Sequence, residues 1–195
     1  MREYTIERRT SETDIRLMLC LDGAGKAEVD TGVGFLDHML ELFAGHGRFD
    51  LKVICRGDTR VDDHHSVEDV GIALGLALNA ALGDRAGIRR YGSVILPMDE
   101  ALILCALDLS GRAALRFTAA FPSEKIGTFD TELVREFFLA AVRNAALTLH
   151  LKMLDGENSH HIAEAMFKAF GRALREAVSV DPALCGEIPS TKGVL

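Results

Sequence analysis

Polar and apolar residues alternate through residues 2–9 and 13–21, and Asp22-Gly23-Ala24-Gly25 can turn the chain, so a meander of strands is predicted at the start. Phe35, Leu36, Met39, Leu40 and Phe43 then recur at helical spacing, and Gly45-His46-Gly47 is expected to end that helix. Residues 49–55 alternate Leu51, Val53 and Cys55 against Lys52, Ile54 and Arg56, the period of a half-buried strand. After a short loop, the alanine-rich apolar run 70–82 reads as a long helix. The order then repeats. Residues 91–96, 101–109 and 113–120 read as strands, 132–147 as a helix, 148–154 as a strand and 165–178 as a second apolar helix.

The repetition predicts an internal duplication, with repeats at about 1–88 and 89–180 and a tail at 181–195. The expected fold is α+β, a single domain of two similar halves. Each half has a mostly antiparallel sheet with its helices on one face, and the helices of the two halves pack together.

Each apolar helix is announced by the same polar signature. Asp62-Asp63-His64-His65-Ser66-Val67-Glu68-Asp69 precedes the first, and Asn158-Ser159-His160-His161-Ile162-Ala163-Glu164 precedes the second. Positions i, i+3 and i+4 share a helix face. So His64 or His65 can join Glu68, and His160 or His161 can join Glu164. Two imidazoles and a carboxylate at that spacing are metal-ligand chemistry. Polar helix caps are the plainer account, and Ser66 and Ser159 suit it. Caps do not need four histidines, which favours a metal site. Setting His160 on His64 places Glu136 near His38 once loop lengths are allowed for.

Charge and composition narrow the function. A formal net charge of −7 argues against a generic nucleic-acid surface, so basic contacts to an anionic small molecule must be local. No apolar run reaches membrane-spanning length and no secretory leader is visible, which leads to the expectation of a cytoplasmic protein without membrane contact. Cys20, Cys55, Cys105 and Cys185 lie far apart, and the first three fall in strand-like runs, as reduced thiols would.

The segments Thr31–Leu40, Asp62–Asp69, Pro97–Leu102, Asp108–Arg112, Ser159–Glu164 and Pro189–Gly193 together resemble the imidazoleglycerol-phosphate dehydratase family, along nearly the whole chain. The resemblance implies a hydro-lyase of histidine biosynthesis that converts imidazoleglycerol phosphate to imidazoleacetol phosphate. It implies two Mn²⁺ ions per active site and sites shared between subunits of a homo-oligomeric 24-subunit assembly. The implied metal ligands are His38, His64, His65, Glu68, His160, His161 and Glu164. Glu136, where some members have histidine, would complete the set. The implied substrate contacts are Glu12, Arg90, Asp99, Arg112, Ser190 and Lys192. Glu12 is the candidate for removing the C2 hydrogen, and Glu164 for combining metal binding with proton transfer. Leu42 departs from the glutamine expected in many relatives.

The chemistry suits such a site. The abstracted hydrogen is not next to a carbonyl, so the imidazole ring must serve as the electron sink, held as a metal-bound imidazolate. Two rival readings share the ligands. One is a dinuclear phosphoester hydrolase, and the other is a non-catalytic protein whose histidines bridge subunits through metal.

Overall fold

The computed structural model describes residues 1–193 and 195. Its first half runs β1 (Glu3–Arg9), β2 (Thr13–Cys20), β3 (Ala27–Asp30), α1 (Gly34–Gly47), β4 (Asp50–Gly57) and α2 (His64–Leu82). The second half runs β5 (Tyr91–Met98), β6 (Ala101–Asp108), β7 (Ala114–Thr118), a short hairpin β8 (Lys125–Ile126) and β9 (Phe129–Asp130), α3 (Glu132–Ala145), β10 (Thr148–Asp155) and α4 (Ser159–Val178).

The two sheets have one topology. Their strand orders are β1-β2-β4-β3 and β5-β6-β10-β7, and each position in one corresponds to a position in the other. In both sheets the last pair is parallel, bridged by a helix, and the other pairs are antiparallel. The duplicated α+β fold read from the sequence is therefore the fold of the molecule.

Alternation sets the inner faces. Ile15, Leu17 and Leu19 of β2 and Leu51, Val53 and Cys55 of β4 are buried beneath the first pair of helices. Ile103, Cys105, Leu149 and Leu151 do the same for the second sheet. Cys20, Cys55 and Cys105 are buried free thiols, while Cys185 is exposed.

The halves interlock through their helices. The second helix of each half packs on the first helix of the other, α2 on α3 and α4 on α1. Equivalent glycines make this approach possible. A Cβ on Gly75 would stand 2.5 Å from the Ala141 carbonyl oxygen, and one on Gly171 would stand 2.6 Å from the Phe43 carbonyl oxygen. Gly75 and Gly171 lie 11 residues after His64 and His160 respectively, so the contact repeats with the duplication.

Element ends differ from the pattern in places. The first helix runs through Gly45-His46-Gly47, and Arg48 ends it in a left-handed conformation (φ 57°) whose N–H returns to the Ala44 and Gly45 carbonyls. The hairpin β8–β9 has no counterpart in the first half, where residues 31–33 alone join β3 to α1. Its two-residue strands are too short for a periodic signal. No helix among the described residues is long and apolar enough to cross a membrane.

Gly75→Ala and Gly171→Ala should each destabilise the chain by about 1–3 kcal/mol, because the added methyl meets backbone of a facing helix. Denaturant unfolding measures this. An unchanged midpoint in both variants would show that the helices do not depend on this approach.

Candidate active site

Three of the candidate ligands converge within one chain. Each of His38, His160 and Glu164 offers a ligand atom, and these lie within 4.8 Å of one another. Glu164 Oε2 is 3.5 Å from His38 Nε2 and 3.1 Å from His160 Nε2. The interlock of α1 with α4 brings His38 to the other two. Local structure aims both helices. Asp37 fixes the start of α1 by accepting from the N–H and hydroxyl of Thr31 (2.8 and 2.5 Å). Asn158 caps α4, and its Oδ1 accepts from the N–H groups of His160 and His161 (2.9 and 3.3 Å). The cap is thus Asn158 and not Ser159, whose hydroxyl instead bonds Ser123 of the segment leading into β8 (2.8 Å).

Lys168 was not singled out by the sequence pattern. It lies one turn beyond Glu164, and its Nζ bonds Glu164 Oε1 at 2.5 Å. Burial pushes the Glu164 carboxyl up, but the Lys168 bond and charge outweigh it and hold it below the usual range. One oxygen is spent on the lysine and the other faces both imidazoles. The i,i+4 spacing of Glu164 and Lys168 on an apolar helix is the signal that could have found it.

The other candidates stand in pairs outside this cluster. His64 Nε2 is 3.6 Å from Glu68 Oε2. Glu136 occupies on α3 the place that His38 holds on α1, the fifth residue of each helix. Its carboxylate is turned to Arg135 at 2.9 Å. So α2 and α3 do not form a second gathered triad among the described residues.

The remaining two candidate histidines are each set between carboxylates. His65 Nδ1 lies 3.0 Å from Asp58 Oδ1 and its Nε2 lies 3.7 Å from Glu12 Oε1. His161 Nδ1 lies 2.7 Å from Glu100 Oε2 and its Nε2 lies 3.7 Å from Asp99 Oδ2. Glu12 and Asp99 therefore hold matching places in the two halves, each from the first hairpin of its sheet. The Glu12 hairpin is tied to α2 by Thr13 Oγ1, which donates to the buried Asp69 at 2.5 Å. Hydrogen bonds raise both histidines, to Asp58 for His65 and to Glu100 for His161. The His161 bond is the main cause that holds Glu100 down to about 2.

The basic candidates gather elsewhere. Arg90, Arg112, Ser190 and Lys192 line one cavity of about 600 Å³ with the C-terminal tail. Arg90 is braced by two bonds to Asp108 (2.7 and 3.1 Å) and donates to the Pro189 carbonyl (2.7 Å), so it also orders the tail. That uses three of its five N–H groups. None of the triad residues lines this cavity.

The donors present suit a divalent cation. Two imidazole nitrogens and one carboxylate oxygen converge on one point, a mixed set that manganese accepts among several ions.

The raised histidine pKa values give a signed pH dependence. A raised folded-state pKa stabilises the metal-free chain below the unfolded value of about 6.5, and that stabilisation is lost as pH rises through the folded value. Metal needs the neutral imidazole, so its affinity should run the other way and fall as pH drops from about 8 to about 6. Calorimetric Mn²⁺ titration across that range, beside thermal unfolding of chelated protein, tests both signs.

Known proteins match this chain in sequence and fold. The family model for imidazoleglycerol-phosphate dehydratase covers residues 31–174. A dehydratase of that name from Desulforamulus reducens is 60% identical over all of this chain and 98% of its own length. Its namesake from Synechococcus sp. strain WH7803 is 57% identical over all of this chain and 96% of its own. The crystal structure of the Staphylococcus aureus dehydratase superposes with TM-score 0.84 at 43% identity, covering 92% of this chain and 99% of that one. That from Pyrococcus furiosus, in complex with (S)-C348, gives 0.84 at 37% identity, covering 97% and 100%. With its duplicated fold and paired His-His helices, the chain belongs to the imidazoleglycerol-phosphate dehydratase family of hydro-lyases.

Proposed function

We propose that the chain carries out manganese-dependent dehydration of D-erythro-imidazoleglycerol phosphate to imidazoleacetol phosphate, in histidine biosynthesis, at sites completed between copies of the chain. The convergence of His38, His160 and Glu164 on one point carries the reading. His64, His65, Glu68, Glu136 and His161 are the other proposed ligands. These residues would hold two Mn²⁺ ions, whose positive charge would let the substrate's imidazole ring act as electron sink.

The chain's own side chains do the rest. Glu164 stays ionised beside Lys168, so it can hold charge or receive a proton through Oε2. Glu12 stands half exposed at a hairpin tip, and its Oε1 faces His65 Nε2. A carboxylate there suits removal of the C2 hydrogen. Asp99, its match in the other half, suits a substrate hydroxyl. The hydroxyl on C3 leaves with a proton, and water is the only other product.

Phosphate recognition falls to Arg112, Arg90, Ser190 and Lys192, whose cavity concentrates cations in a chain of net charge −7. That cavity and the triad share no residue. A substrate with an imidazole at one end and a phosphate at the other needs both. This division supports a partner copy that supplies one of them, as in the proposed 24-subunit homo-oligomer.

In chelated protein, turnover of imidazoleglycerol phosphate should return only as Mn²⁺ is added, saturating near two ions per site. His64→Ala and His160→Ala should abolish it. Near-normal rates in either purified variant would sink the metal assignment. Arg112→Ala should leave kcat nearly unchanged and raise KM by about 10- to 100-fold, since a charge-assisted hydrogen bond contributes about 1.5–3 kcal/mol. A lowered kcat at unchanged KM would instead place Arg112 in the chemical step.

A further inference from the structure

His65 and His161 are held by the same device, one carboxylate on Nδ1 and another 3.7 Å from Nε2. A carboxylate that accepts from Nδ1–H sets the imidazole tautomer and leaves the Nε2 lone pair free. That lone pair then faces a second acceptor, Glu12 on one side and Asp99 on the other. Two acceptors at that distance are not hydrogen-bonded, and a cation between them removes the repulsion.

The two Nδ1 carboxylates are not alike. Asp58 points both oxygens at His65, at 3.0 and 3.1 Å. Glu100 divides its oxygens. Oε1 accepts from the backbone N–H groups of Glu157 and Asn158, at 3.2 and 2.8 Å, and Oε2 alone meets His161 Nδ1 at 2.7 Å. Glu100 therefore ties the loop before α4 and the ring of His161 together.

We propose that Asp58 and Glu100 are positioning residues that fix the Nδ1–H tautomer of His65 and His161, and that Glu100 does so irreplaceably because its other oxygen is pinned by the α4 loop. The inference rests on the reading of these histidines as metal ligands.

The pinning makes a specific difference between amide replacements. In Glu100→Gln the carbonyl oxygen must stay on the two backbone N–H groups, or those donors lose their acceptor. The amide NH₂ then faces His161 Nδ1 and donates to it. The ring proton moves to Nε2 and blocks the metal-facing nitrogen. In Asp58→Asn no backbone group holds either side-chain atom, so the amide turns its oxygen to His65 Nδ1–H and the tautomer survives.

The test is Mn²⁺ titration by calorimetry on full-length protein, with ¹⁵N imidazole spectra of the metal-free form. Glu100→Gln should weaken Mn²⁺ binding by about 10- to 100-fold, the usual effect of losing such a partner. His161 should change to the Nε2–H tautomer while thermal stability stays near wild type, because the loop contacts remain. Asp58→Asn should weaken binding less than Glu100→Gln and leave the His65 tautomer unchanged. Glu100→Ala, which cuts the loop as well, should lower both metal affinity and melting temperature. Wild-type affinity in Glu100→Gln, or an unchanged His161 tautomer, would overturn the inference while leaving the metal reading intact. Wild-type protein that binds no Mn²⁺ at these histidines would sink the metal reading instead.

Discussion

Backbone-to-backbone approach of helices across the two halves is the constraint on which the site depends. Gly75 lets α2 settle on α3, and Gly171 lets α4 settle on α1. The second of these contacts delivers His38, from one half, to within reach of His160 and Glu164 of the other. A larger residue would hold the helices apart and widen a cluster whose atoms now lie within 4.8 Å. The interlock thus serves as core packing at one end of the helix pair and gathers the candidate ligands at the other.

Electrostatics shapes this cluster and the histidines around it. Histidines at helix N-termini sit where the helix dipole disfavours positive charge. Each is compensated by a carboxylate, from one turn along its own helix for His160 (Glu164) and His64 (Glu68) and from another element for His161 (Glu100) and His65 (Asp58). Glu164 is in turn neutralised by Lys168 on its own helix. Negative charge therefore gathers around the imidazoles, and positive charge lines the cavity under the C-terminal tail. The imidazole cluster and the basic cavity thus differ in the sign of the charge around them.

The duplication is close but not complete. Both sheets share one strand order, and Glu12 and Asp99 hold matching places beside His65 and His161. The Nδ1 partners differ in origin. Asp58 comes from the loop after β4, whereas Glu100 comes from the β5–β6 hairpin. The hairpin β8–β9 is present in one half alone, and its leading segment lies on the start of α4 through Ser123 and Ser159. His38 and Glu136 are equivalent in position and different in chemistry, and only His38 has gathered partners.

Period-2 and period-3.6 patterns alone established β1, β2, β4, β5, β6, β7, β10, the four long helices and their repetition, because burial of one face writes itself directly into the order of residues; β3, β8 and β9 were too short to show it. The His-His-x-x-Glu spacing likewise pointed to one of His64 and His65 beside Glu68 and one of His160 and His161 beside Glu164, since side chains on one helix turn are near neighbours in the chain; the structure selects His64 and His160. What lies between elements far apart in sequence was decided by the tertiary structure alone. That His38 rather than Glu136 joins a triad depends on how α1 and α3 rest on their partners. That Glu100 meets His161 depends on a hairpin folding back over a helix start some sixty residues on. The pairing of Lys168 with Glu164 was within the reach of helical spacing, yet its importance emerges only when the two imidazoles claim the other oxygen. Local periodicity records which face of an element is buried, but a site drawn from distant elements exists only once packing has chosen which faces meet.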